Sequence, residues 1–219
     1  YSLRKLISSY TGAAVKVRRS SDNAESDIGF TAAGDLDETA LKTFAGAGNG
    51  FVTIWYDQTG NGKHMTQSNT GLQPQILFSG NLKYINSRPT IDFYLNKGVF
   101  FNTTTNLASV SAVIKSEYST FKQYHTVLGT STYSSGRFGG ILQNGGTNFH
   151  SNKYPTALWK NGASLGNSAS LNPILNTPMV ISYTTTIAAS GTASGLSIGN
   201  YDGGSNGGAV LQSEVIGFG

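Results

Sequence analysis

The chain has 219 residues, of which 28 are glycine and only 12% are charged, with a formal net charge of +4. That length supports one sizeable core, and low charge with many glycines, serines, threonines and asparagines describes a turn-rich all-β domain with a neutral surface. Cysteine is absent, which excludes a disulfide framework and a thiolate metal site, and no apolar run approaches the ~18 residues of a membrane span.

Ser2–Ser9 begins with a potential cap and spaces Leu3, Leu6 and Ile7 at i, i+3 and i+4, which predicts a short helix ended by Gly12. Ala13–Arg19 alternates Val15 and Val17 with Lys16 and Arg18, as a half-buried strand does. Arg4, Lys5, Lys16, Arg18 and Arg19 mark either an anionic partner or a solvated face. No aromatic–basic interleaving accompanies them, so the solvated face is preferred. A second helix is predicted over Asp37–Ala45, with Asp35 or Asp37 as cap, Leu41 and Phe44 inward, and Gly46 beyond the end.

From Gly50 onward only strands and turns are expected. The candidates are 51–56, 74–79, 89–95, 107–115, 125–129, 137–142, 155–160, 178–184, 194–199 and 209–217, with 161–176 read as a long surface loop. About ten strands in one domain of this size predict an all-β fold: a two-sheet jelly-roll (concanavalin-like) sandwich with one or two short N-terminal helices. Residues 1–219 are read as a single domain cut from a longer protein.

The densest stretch is Phe51–Gln67. Phe51–Tyr56 is apolar or β-branched throughout, as a strand covered on both faces requires. Gly60, Asn61 and Gly62 then permit a tight reversal, Asp57 can accept from turn amides, and His64 follows as a structural donor. Together with Ser8–Gly12 and Arg19–Asp22, the run Val52–His64 resembles the start of the catalytic domain of fungal-type α-L-arabinofuranosidase B, glycoside hydrolase family 54. Asn86–Phe93 looks more like bacterial and phage relatives with concanavalin-like or laminin-G-like domains, and Ile198–Gly207 resembles the family's late glycine–aspartate–asparagine loop. The resemblance implies a jelly-roll sandwich with a sugar cleft on its concave sheet.

Retaining glycoside hydrolysis needs two carboxyl groups about 5–5.5 Å apart. The resemblance places the acid/base aspartate at Asp202 and the nucleophilic glutamate opposite Gly140–Asn144, a stretch that reads Gly-Ile-Leu-Gln-Asn. No Asp or Glu occurs from Tyr118 to Tyr201, and an amide such as Gln143 cannot supply the covalent intermediate. Asp202 with Glu214, or Asp57 with Asp92, is the substitute pair available; turn and edge hydrogen bonding is the alternative role for Asp57 and Asp92. His64, His125 and His150 lack ligand spacing, so no zinc site is expected. Asp57 with Asn61, or Asp202 with Asn206, offers oxygen ligands for calcium, and no other cofactor is implied.

A glycan surface asks for aromatic faces with amides and hydroxyls on a rigid sheet. Trp159 and Tyr201 are the candidate rings, with Asp202, Asn206, His150 and Asn144 as polar neighbours and core packing as the alternative for both rings. The expectation from the empty mid-chain is therefore a non-catalytic, lectin-like glycan-binding or structural domain. It would sit in a bacterial cell-surface or phage virion appendage protein, extracellular, contacting host polysaccharide and neighbouring subunits but neither nucleic acid nor the membrane interior. The alternative is a retaining hydrolase of α-L-arabinofuranosidase type using Asp202 and a second carboxylate.

Overall fold

Strand formation follows the apolar and β-branched runs of the sequence, with burial alternating clearly along Pro178–Thr184. The computed structural model describes residues 1–93, 99–101, 109–116, 129–130, 157–166, 177–184, 196–198 and 210–218. In chain order the elements are β1 (Val15–Arg19), β2 (Glu25–Ile28), α1 (Glu38–Ala45), β3 (Gly50–Trp55), β4 (Met65–Thr66), β5 (Gln75–Phe78) and β6 (Asn81–Leu82). There follow β7 (Tyr84–Ile85), β8 (Arg88–Pro89), β9 (Ile91–Asp92), β10 (Val99–Phe101), β11 (Ser109–Ser116) and β12 (Gly129–Thr130). The last five are β13 (Ala157–Lys160), β14 (Ala163–Gly166), β15 (Pro178–Thr184), β16 (Leu196–Ile198) and β17 (Val210–Phe218). The protein is mostly antiparallel β.

The strand path runs β12-β16-β10-β4-β3-β5-β9-β17-β11-β15-β13-β14, with β1 and β2 attached beside β3. One hydrophobic cluster draws Val15, Val52, Trp55 and Met65 from one end of that path and Val110, Ala112, Leu158 and Ile181 from the other. Among the described residues the two halves of the sheet therefore share one core. β5, β9 and β17 form the crossing, where Asp92 pairs with both Gln75 and Leu211.

The predicted helix over Ser2–Ser9 does not form. Its backbone groups are taken by partners distant in sequence: Gln58 Nε2 donates to the carbonyls of Ser2 (3.1 Å) and Arg4 (3.0 Å), and Leu6 N–H donates to Gln58 Oε1 (2.8 Å). Lys5 N–H donates to the Gly34 carbonyl at 2.7 Å. Helix nucleation is costly enough that a short amphipathic pattern loses to tertiary hydrogen bonds. The second helix does form, capped by Asp37, whose side chain accepts from Ala40 N–H at 2.9 Å.

Strand 178–184 coincides with β15, whereas 89–95 breaks into β8 and β9. The candidate at 137–142 lies outside the described residues. The loop read over 161–176 is corrected at its start: Asn161 and Gly162, both at positive φ, reverse the chain and β14 follows. Asn-Gly is the strongest local hairpin signal, so the sequence did carry this feature.

Candidate functional site

The turn after β3 is built around one carboxylate. Asp57 is 6% exposed, and its oxygens accept from Thr59 N–H (2.8 Å), Thr59 Oγ1 (2.7 Å) and Lys63 N–H (3.2 Å). Burial alone would raise its pKa, but the hydrogen bonds from Thr59 and Lys63 outweigh that and hold the carboxyl below its ordinary range. Gly60 and Gly62 both take positive φ, and Asn61 Nδ2 closes the turn onto Thr59 Oγ1 at 2.9 Å. His64 Nδ1 accepts from Asp57 N–H at 3.1 Å, which leaves the ring edge-on to Tyr56. The residues of this turn are tied to one another, and the Asp57 carboxylate offered for calcium is already turned onto three protein donors.

A cavity of about 340 Å³ lies where the N-terminal segment meets the β7–β8 hairpin. Its apolar wall includes Leu3, Leu36, Ile85 and Val113, and Arg88 at its rim is ion-paired to Asp35. Away from the cavity, the two arginines at the end of β1 are engaged internally. Arg18 donates to Gln73 Oε1 and Asn23 Oδ1, both at 2.7 Å, and lies over the Phe51 ring. Arg19 forks onto both oxygens of Asp22 and covers Phe44.

The proposed carboxylate pair Asp57 and Asp92 is not brought together for chemistry. Asp57 serves the turn, and Asp92, 3% exposed on β9, holds Lys83 Nζ at 2.7 Å while that ammonium lies over Phe78. Asp35, Asp37 and Glu38 are committed to Arg88, the helix cap, and Lys42 with Tyr84. Glu214 stands on β17 in register with Val113 of β11. Trp159 is half-buried on β13. Asn144, His150, Tyr201, Asp202 and Asn206 lie outside the described residues. Sequence reasoning missed Gln58 and Gln73, buried amides that bridge segments more than 50 residues apart, because nothing local marks such long-range partners.

These features define a mostly-β protein with a tightly hydrogen-bonded turn after β3. Residues 1–81 match the family model described as α-L-arabinofuranosidase B, catalytic. The α-L-arabinofuranosidase B of Aspergillus oryzae is 41% identical over 69 residues, which is 31% of this chain and 14% of that protein. The Aspergillus niger enzyme of the same name is 42% identical over 69 residues, with the same shares covered. The solved structure of an arabinofuranosidase complexed with arabinofuranosyl-α-1,2-xylobiose superposes over 100% of this chain and 58% of its own, with a TM-score of 0.60 at 19% identity. At that identity the likeness is one of fold. The chain thus spans a small part of its curated relatives by sequence and little over half of the solved chain.

These matches overturn the expectation of a non-catalytic, lectin-like or virion-appendage domain: they are to arabinofuranosidases. The acid-free mid-chain bears on one segment alone. It excludes a nucleophile within Tyr118–Tyr201, but strand pairing brings distant segments side by side, and β17, with Glu214, lies between β9 and β11.

Proposed function

We propose that this chain is the catalytic-type region of an extracellular retaining glycoside hydrolase that removes α-L-arabinofuranosyl units from a polysaccharide, on a jelly-roll sandwich. The observation that carries the reading is the match of residues 1–81 to the arabinofuranosidase B catalytic model, supported by the fold likeness along the whole chain. Of the acidic residues, Asp22, Asp27, Asp35, Asp37, Glu38, Asp57 and Asp92 each serve a structural partner. Of the four that remain, Glu25, Glu117, Asp202 and Glu214, Asp202 is the acid/base by its place in the late glycine-rich loop, and Glu214, on the β17 strand between β9 and β11, is the second carboxylate.

In the first half-reaction the ionised carboxylate attacks the anomeric carbon while the protonated one gives its proton to the departing oxygen. Water, deprotonated by the same acid/base group, then hydrolyses the glycosyl ester with overall retention. The test is release of nitrophenol from 4-nitrophenyl α-L-arabinofuranoside. Asp202→Asn and Glu214→Gln should each lower kcat at least about a hundredfold, as loss of a general acid or nucleophile does. No release above the buffer blank, or full activity in either variant, refutes the assignment.

A further inference from the structure

The outward face of β11, β15, β13 and β14 carries a row of side chains that the hydrolytic reading does not use. Inward on these strands point Val110, Ala112, Leu158, Ile181 and Tyr183, all at most 1% exposed. The alternate residues point outward, and the register aligns Ser111 with Ser182, Ser182 with Trp159, and Trp159 with Ser164. Ser111 Oγ and Ser182 Oγ share a hydrogen bond of 2.9 Å, which fixes two hydroxyls beside the indole. The next row pairs Val113 with Val180, and Val180 is 42% exposed, among the few large apolar side chains of the described residues that stand in solvent.

The indole's strand is anchored. One residue after Lys160 the chain turns at Asn161-Gly162, and Asn161 is pinned to β15 twice: its N–H donates to the Val180 carbonyl and its Oδ1 accepts from Val180 N–H, both at 2.8 Å. The face does not stop at the valines, because Val113 also lines the 340 Å³ cavity. From β11 to β14 is three strand spacings, about 14 Å, room for several sugar rings in line.

We propose that this face is an accessory binding surface for a neutral polysaccharide chain, centred on Trp159. An indole offers a flat apolar face to the C–H side of a sugar ring, and hydroxyls held on a rigid sheet meet the sugar's own hydroxyls. On β11, β15, β13 and β14 the side chains of the two rows are uncharged, which fits a neutral polymer; Lys115 stands at the far end of β11, and Glu214 of the adjoining β17 is in register with Val113. The identity of the polymer, an arabinose-substituted one, rests on the proposed function; the surface itself does not.

The experiment is affinity electrophoresis of the full chain in gels containing neutral arabinoxylan, with polygalacturonate as the charged control. The wild type should be retarded by arabinoxylan alone. Trp159→Ala should weaken the apparent affinity about tenfold, the value of one good aromatic contact, with Trp159→Phe recovering most of it. Should Trp159→Ala fail to fold by near-UV circular dichroism, Ser182→Val should still weaken retardation two- to threefold, an effect of about half a kcal/mol. Equal retardation of wild type and variants, absence of retardation, retardation by polygalacturonate alone, or a Trp159-dependent dimer in ultracentrifugation would each overturn the surface. Wild-type nitrophenyl arabinofuranoside hydrolysis separates the two readings. Trp159-dependent retardation without hydrolysis sinks the enzyme and spares the surface, and hydrolysis without retardation does the reverse.

Discussion

Gln58→Ala removes the clamp that holds the N-terminal segment out of a helix. Gln58 is 4% exposed, and its amide makes three hydrogen bonds, to the Ser2 carbonyl, the Arg4 carbonyl and Leu6 N–H. Each is worth about 1 kcal/mol net, and a buried carbonyl left without a donor costs about 1–3 kcal/mol more. Ser2 is fully buried, so its carbonyl cannot turn to water without the segment lifting. Arg4 is exposed, and its carbonyl can recover part of the loss through solvent. The expected destabilisation is therefore about 2–4 kcal/mol. Urea unfolding followed by tryptophan fluorescence reads it directly, since Trp55 packs against Tyr1 of the same segment. Gln58→Met keeps the length and most of the volume and should lose nearly as much as alanine. A loss below about 0.5 kcal/mol for both variants, at unchanged denaturant slope, would refute the clamp, because three hydrogen bonds of a buried amide cannot be that cheap.

Asp57→Asn should cost about 1.5–3 kcal/mol at pH 7, since the carboxylate accepts three hydrogen bonds and an amide offers one oxygen. The folded pKa lies below the unfolded one, so this stabilisation is present above the ordinary carboxylate range and is lost as pH falls through the folded value. The gap between wild type and variant in urea midpoint should close on acidification; a gap constant down to pH 2.5 contradicts the assignment. Arg18→Lys keeps the charge but loses the fork onto Gln73 and Asn23 and the stack on Phe51, and should cost about 1–3 kcal/mol by thermal melting, with wild-type stability as the contrary result. Gly162→Ala forces a Cβ into a positive-φ position and should destabilise by about 1 kcal/mol, read from the same melts; no change would mean that the Asn161-Gly162 reversal is not formed.

Local rules made much of the scaffold legible. Asp37 and Gly46 bracket a helix because a short acid can meet the first amides and a glycine can leave the last turn. β15 reads directly from Pro178–Thr184 because alternation along a strand is written in consecutive residues. The Asn161-Gly162 hairpin is equally local, though the polar residues that follow it read as loop.

Tertiary structure decided the rest. Leu3, Leu6 and Ile7 have helical spacing, yet an amide 52 residues away takes the backbone first. A spacing rule has no access to that competitor. The same holds for the row of Ser111, Ser182 and Trp159: their order in the chain says nothing of adjacency, which arises only when β15 slots between β11 and β13. What the amino-acid sequence determined alone is the periodic backbone and the turns, whose energetics are settled within a few residues. Which strands lie side by side, and so which side chains share a surface, is settled by burying one common core that draws on residues from Leu3 to Tyr183.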